Sequence, residues 1–313
     1  RLELHYYFND ESHSMDAMVR NKCESEILAI IYESSIIFGF DISVDAEVFK
    51  EGGLKDIWKF LGKNSAQVAI IISIITMIIS QIPKTDSEYQ DLQKKLVKLS
   101  IEEKKLSIKK LRKEVEVNEV TEVTISEATT VANSNYKVIT RKSNLYKHLS
   151  NYEKVTKIGV VSIGKSGDYL AVENVIERED FKRFIIHSNE LKPEVIEGAL
   201  IEIVAPVLKS GGYKWKGIFD DEQINFSMKD NEFKEAVLNR TISFKHGSSI
   251  NCVLSVQRKI DEVGEIVVKG YFVETVLEKI DGEVVVSTLQ GKRHKFTKKQ
   301  TDNQVELFRQ TEA

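Results

Sequence analysis

SAQVAIIISIITMIISQIP, residues 65 to 83, carries no charge between Lys63 and Lys84, and its reading decides the fold. Nineteen residues in one helix rise roughly 28 Å, close to the about 30 Å of a bilayer's hydrocarbon layer. A core helix usually keeps a charged, solvated edge, and none is visible here. The expectation is therefore a transmembrane helix over 63–84, and the alternative is the buried core helix of a soluble protein. Gln67 and Gln81 shorten the dry part. Lys63 and Lys84 fit interface anchors, although no Trp or Tyr lies within a few residues of either end.

Within the stretch, Ala69, Ser73, Thr76 and Ser80 recur at intervals of four, three and four, so they share one helical face. Small and hydroxyl residues on one face permit close helix packing. In a symmetric ring, Ser73, Thr76 and Ser80 would instead face water as a pore lining. Both uses call for an oligomer, because one spanning helix encloses no pore.

Outward from this stretch the chain separates by composition into an α+β arrangement. Residues 1–62 read as a small α/β module: LELHYYF a strand, the segment from Ser14 to Gly39 a helix, DISVDAEVF a strand and GGLKDIWKFLG a short second helix. Residues 85–118 have neither Gly nor Pro and read as one long charged stalk helix. Leu92, Leu99 and Leu106 mark one apolar stripe, and Ile101, Ile108 and Val115 mark another, as in a bundle. From Lys94 to Lys113 nine basic residues face two acids, a local excess suited to anionic headgroups or an anionic ligand. The Thr/Ser/Asn-rich segment 119–150 reads as an irregular connection. Residues 151–299 read as a β-rich ligand-sensing domain, with strands near 155–163, 199–208, 213–219, 222–228, 250–260 and 264–277. Short helices are expected near 177–186 and 230–239, and residues 300–313 form a tail.

The 313-residue chain has a net charge of -3, so any attraction to nucleic acid or lipid must be local. Two distant cysteines, Cys23 and Cys252, form neither a zinc spacing nor a disulfide framework and suit a reducing compartment. No charged leader with a cleavage site stands in the first thirty residues, so secretion is not expected. Basic residues flanking 65–83 are equal in number on the two sides, four each, and leave orientation open. Size and the lack of a leader favour the cytoplasm for the large C-terminal domain.

Chemical motifs are few. GVVSIGKS, residues 159 to 166, fits G-x-x-x-x-G-K-[ST], but Val160, Val161 and Ile163 make it a strand running into a KSGD turn. The six histidines show no metal spacing; Asp10, Glu11 and His13 read as an acidic turn before a helix. With no nucleophile elbow, dinucleotide fingerprint or catalytic cysteine neighbourhood, the reading is of a non-enzyme without cofactor or metal. YKWKG, residues 213 to 217, is more suggestive. In a strand Tyr213 and Trp215 would share one face and Lys214 and Lys216 the other, so bases could stack while lysines attract phosphate. The plainer reading is a core tryptophan with solvated lysines. Lys245, Arg258 and Lys259 add positive charge that could join the surface, and KRHKFTKK at 292–299 reads as a basic tail.

With YYFNDESHSMDAMVRNKCESE in the N-terminal module, one short apolar helix, a charged stalk and ALIEIVAPVLKSGGYKWKGIF in the β-rich domain, the chain resembles the channel-forming membrane effectors of bacterial anti-phage defence, Hailong type. The likeness covers most of the chain and rests on the order of parts, with no short diagnostic motif. It implies a homo-oligomeric ion channel, a tetramer being one form, held in membrane lipid. It also implies a soluble domain that binds a single-stranded DNA oligomer or related nucleotide ligand made by a partner nucleotidyltransferase. The other function class open from sequence is a membrane-anchored or soluble binding or scaffold protein without a pore.

Overall fold

The structure is a computed structural model. It describes residues 1–10, 12, 14–47, 54–83, 101–117, 120–164 and 166–310, with the side chains of 101–103, 117 and 301–310 outside that description. Two compact units form: Arg1–Ser188 with Asp261–Glu265, and Asn189–Ile260 with Ile266–Ala313.

The first unit is an antiparallel sheet ordered β2-β3-β1-β4-β5, built from β1 (Leu2–Phe8), β2 (Ile42–Glu47), β3 (Leu54–Gly62), β4 (Val155–Ser162) and β5 (Asn174–Glu177). Alternation puts Leu2, Leu4 and Tyr6 of β1, Trp58 and Phe60 of β3, and Ile158 and Val160 of β4 into one core. GGLKDIWKFLG was expected as a helix, but Leu54–Gly62 is a strand. Asp56, Trp58 and Phe60 are buried at every second position, a period of two that overrides the helical composition.

Helix α1 (Ala17–Phe38) starts at Asp16, whose side chain accepts from the Met18 and Val19 amides, and stops at Gly39 with φ 67°. Helix α2 (Ser65–Ser80) is capped by Asn64, whose side chain accepts from the Ala66 and Gln67 amides. Ile70, Ile71, Ile72, Ile74, Ile75, Ile78 and Ile79 are all buried in the same core, against α1, the sheet and the following helices. The Tyr146 hydroxyl donates to the Ile79 carbonyl at 2.5 Å, satisfying an end that would otherwise be orphaned.

The transmembrane expectation for 63–84 is thereby corrected. Sixteen helical residues rise roughly 24 Å, less than a bilayer needs. Among the described residues no helix is long and apolar enough to cross a membrane. The solvated edge of this helix is the hydroxyl stripe itself. Ala69 is exposed, Ser73, Thr76 and Ser80 are partly exposed, and their hydroxyls donate to the carbonyls of Ala69, Ile72 and Thr76 one turn earlier. The pore-lining role assigned to Ser73, Thr76 and Ser80 falls with the span.

Of the stalk, α3 (Ile101–Val117) is described; the rest of 85–118, with Leu92 and Leu99, lies outside the described residues. Leu111 and Val115 pack into the core, Ile108 packs partly, and Leu106 faces solvent. The Arg112 guanidinium donates to the Phe38 carbonyl at 2.7 Å, under Gly39, where a Cβ would meet it. The segment expected to be irregular, 119–150, instead forms α4 (Glu122–Asn133) and α5 (Tyr136–Ser150), capped by Thr121 and Asn135. A 3₁₀ helix, Arg178–Phe184, follows β5. Arg178 closes α5 by donating to the carbonyls of Leu149, Ser150, Tyr152 and Val155.

Lys142 of α5 is buried, donates to Asn133 Oδ1 at 2.9 Å and lies over the Phe184 ring. Burial lowers its pKa from 10.5 to about 8. Between these values the unfolded chain binds the extra proton, so stability rises with pH. Denaturant titrations at pH 7.5 and 10 should show the first unit of the wild type gaining on the order of 1–3 kcal/mol at the higher pH relative to Lys142→Met. The gain is read against Lys142→Met, which keeps the opposing effect of the buried Cys23 thiol, raised to about 12 by burial; parallel profiles of the two proteins would sink the expectation.

The second unit holds β6 (Glu194–Ala205), β7 (Trp215–Phe219), β8 (Glu222–Met228), α6 (Asn231–Leu238), β9 (Ser248–Ile260), β10 (Ile266–Asp281), β11 (Val284–Ser287) and α7 (Leu289–Gln310). The expected domain 151–299 therefore divides, because β4 and β5 complete the first sheet. The expected tail 300–313 begins inside α7, whose helix runs to Gln310. Strand order is β10-β8-β7-β6-β9, and β9 pairs back onto β10, closing a five-stranded barrel with β11 added beside β10. All pairs are antiparallel except β8 with β10, and α6 connects β8 to β9. That connectivity is the Greek-key barrel of the OB type. At Gly217 a Cβ would stand 2.5 Å from Ile201 and 2.7 Å from the Glu202 carbonyl, so glycine lets β6 and β7 close the wall.

Candidate nucleic-acid interface

The strand pattern assigns each candidate residue of the barrel to a side. Trp215 points inward, is 1% exposed and packs with Phe226, Phe233 and Phe244, so no base can stack on it. The following position, Lys216, points outward and is exposed. Tyr213 and Lys214 precede the strand in the exposed loop from Pro206, and Tyr213 is 59% exposed. The stacking surface of Tyr213 with Trp215 is thus not formed, whereas Tyr213, Lys214 and Lys216 are open to solvent.

Reading across the wall from Lys216 extends the surface. Lys216 pairs with Asn225 of β8, an outward position, and Ser227 is the next outward residue on that strand. Ser227 pairs with Phe272 of β10, which is half-buried outside the barrel core. Lys229, exposed just after β8, lies over the Phe272 ring at 5.4 Å. Three adjacent strands therefore present lysine, amide, hydroxyl, aromatic ring and lysine in one band. Lysine supplies charge to phosphate, and an aromatic face accepts a base without regard to sequence. Phe272 and Lys229 were not anticipated; the alternation in KGYF (269–272) was the available sign, but its strand lacked a known neighbour.

The remaining candidates do not join this band. Lys245 precedes β9 and is exposed, its amide donating to the Ser248 hydroxyl. Arg258 and Lys259 lie at the other end of that 13-residue strand, roughly 40 Å long at full extension. Arg258 is paired with Glu194 at 2.8 Å, while Lys259 is exposed.

The first unit carries a second polar cluster, on the sheet face away from its core. Lys55 bonds Glu3 at 2.8 Å and the Tyr169 hydroxyl at 3.0 Å, and the Tyr7 hydroxyl donates to Glu173 at 2.6 Å. His5 Nδ1 lies 3.7 Å from Glu173. Burial, reinforced by Lys55, lowers the His5 pKa; burial and the bond to Glu173 push the Tyr7 phenol up. Gly159 makes room for Glu173, since a Cβ there would meet its carboxylate. These groups satisfy one another, which accounts for them as a pinned surface segment.

The G-x-x-x-x-G-K-[ST] match behaves as expected of a strand and turn: β4 runs through Ser162, Ile163 bridges Tyr169, and the Gly164 amide bonds the Asp168 carbonyl at 2.8 Å. Lys165, Glu11 and His13 lie outside the described residues. Among the described residues no group of three metal-ligating side chains converges. No protein-family model, curated protein or solved structure matches this chain.

Proposed function

We propose that the C-terminal barrel binds a single-stranded oligonucleotide across β7, β8 and β10. Lys214, Lys216 and Lys229 neutralise phosphates, Phe272 and Tyr213 offer stacking faces, and Asn225 and Ser227 provide hydrogen bonds. The band of Lys216, Asn225, Ser227, Phe272 and Lys229 carries the reading. The barrel connectivity supports it by analogy of fold, since OB barrels hold oligonucleotides on this face. The resemblance described from sequence implies the same ligand class, and through it alone we extend the proposal to a homo-oligomeric binding effector in anti-phage defence, supplied with ligand by a nucleotidyltransferase. No catalytic step and no pore is assigned.

Fluorescence anisotropy with a labelled oligothymidylate of about twelve nucleotides tests the reading. Lys216→Glu and Lys229→Glu should each weaken binding by roughly tenfold at low salt. Each should also flatten the log–log salt slope by about 0.7 for every phosphate that is no longer neutralised. Phe272→Leu should weaken binding by about 1–3 kcal/mol with little change of slope. Absence of saturable binding, or equal affinity in the charge-reversed variants, would remove the barrel face as the site.

A further inference from the structure

The C-terminal helix α7 is rooted firmly at one end, and beyond the root ion pairs tie its described side chains to the barrel. At the root, the Thr288 hydroxyl donates to the Leu277 carbonyl at 3.1 Å and accepts from the Gly291 amide at 2.9 Å. Gln290 donates to Asp230 Oδ2 at 3.1 Å. Gly291 lies so close to β10 that a Cβ would be 2.2 Å from the Leu277 carbonyl oxygen.

From Lys292 to Gln300 every residue except His294 is exposed, and Phe296 is 65% exposed. An amphipathic helix that docks by apolar burial looks different. Among the described residues, three ion pairs tie this segment to three separate elements: Arg293 to Glu232 of α6 at 2.7 Å, Lys295 to Glu278 of β10 at 2.7 Å, and Lys298 to Glu197 of β6. The bonds from Lys295 and Lys298 hold the Glu278 and Glu197 carboxyls below their usual range. The stretch 289–299 contains Lys292, Arg293, Lys295, Lys298 and Lys299 and no acid. Exposed ion pairs are individually weak and are screened by salt. A phosphate chain offers the same cations more negative charge than three separate carboxylates do.

We propose that α7 is an electrostatic latch, which a polyphosphate chain opens by competing with Glu197, Glu232 and Glu278 for Arg293, Lys295 and Lys298. The root at Thr288–Gly291 stays in place and the segment from Lys292 to Gln300 lifts. The trigger rests on the oligonucleotide reading above, while the latch itself does not.

Hydrogen–deuterium exchange on the full chain separates the two. At about 50 mM salt, peptides covering 292–300 should be protected; at about 500 mM their exchange should rise roughly fivefold, while peptides from β9 stay unchanged. A Glu197→Gln, Glu232→Gln, Glu278→Gln triple variant should exchange at the fast rate already at low salt. Protection of 292–300 indifferent both to salt and to the triple substitution would overturn the latch. In low salt, oligothymidylate and inorganic polyphosphate should each release the segment as high salt does. Release by salt but by neither polyanion overturns the trigger. Binding of oligothymidylate and release by it that both persist in a Lys216→Glu, Lys229→Glu variant would support the latch while failing the barrel-face site.

Discussion

Replacing Ile75 with alanine is expected to destabilise the N-terminal unit by about 2–5 kcal/mol, whereas Ser73→Ala should change it by less than about 0.5 kcal/mol. Ile75 is fully buried between the sheet and the helices that cover it, so truncation leaves a cavity that the rigid sheet cannot fill. Ser73 lies on the solvated edge of the same helix, and its hydroxyl bonds only its own Ala69 carbonyl at 3.1 Å. The contrast decides between a core helix and a lining helix, for which the hydroxyl face would be the sensitive one. The chain has two tryptophans, and both are buried: Trp58 in the first unit and Trp215 in the second. Fluorotryptophan labelling therefore gives one ¹⁹F signal per unit in a denaturant titration. Ile75→Ala should shift the Trp58 transition alone; equal sensitivity to Ser73→Ala and Ile75→Ala would refute the assignment.

A comparable loss is expected in the barrel for Asp230→Ala. Asp230 is 6% exposed, and both carboxylate oxygens are used. Oδ1 accepts from the Phe233 amide at 2.9 Å and caps α6. Oδ2 accepts from the Val276 amide of β10 at 2.7 Å and from Gln290 at 3.1 Å. One side chain thus ties the helix that fills the barrel to a wall strand and to the root of α7. A lost cap and a buried amide left without its partner together should cost about 2–4 kcal/mol. Asp230→Asn keeps one acceptor oxygen and should lose less than alanine does. In the same ¹⁹F titration only the Trp215 transition should move. An unchanged transition would mean that the cap and the bond to the wall contribute nothing.

Much of the barrel was legible because its signals are local. Alternation in EQINFSM and SSINCVLSVQRKI, and the Asp220-Asp221 turn between β7 and β8, needed no knowledge of distant neighbours. Positive φ at both aspartates, 52° and 61°, fits the tight two-residue hairpin that such residues favour. What could not be read was which strands meet. Phe272 becomes a site residue only through its register with Ser227. The burial of Trp215 depends on Phe233 and Phe244, which lie well beyond it in sequence.

Residues 65–83 misled for a related reason. Charge-free composition marks a helix with apolar neighbours nearly all round, and those neighbours here are β-strands and helices from before and after it. Two features were present in the sequence: Asn64 as a cap that starts the helix, and Pro83 shortly beyond its end, which together confine it to sixteen residues. The segment 119–150 misled through composition as well. Its Thr and Asn residues serve as caps at Thr121 and Asn135 and as inward positions at Thr124 and Thr129, roles that a loop-like composition conceals.

The order of strands in the first sheet has a consequence for synthesis. Glu3 pairs with Ile57 on one side of β1 and with Val161 on the other, so the strand made first is the central one and its second partner is made among the last of that unit. At roughly 5–20 residues per second, one edge of β1 waits on the order of 10–30 s for β4 to leave the ribosome. Meanwhile Leu2, Leu4 and Tyr6 lie on a strand with an open ladder of amides and carbonyls, the form of chain most prone to pair with the wrong partner. The vulnerable interval of the first unit thus ends only when Val155–Ser162 has emerged and closed the second edge of β1.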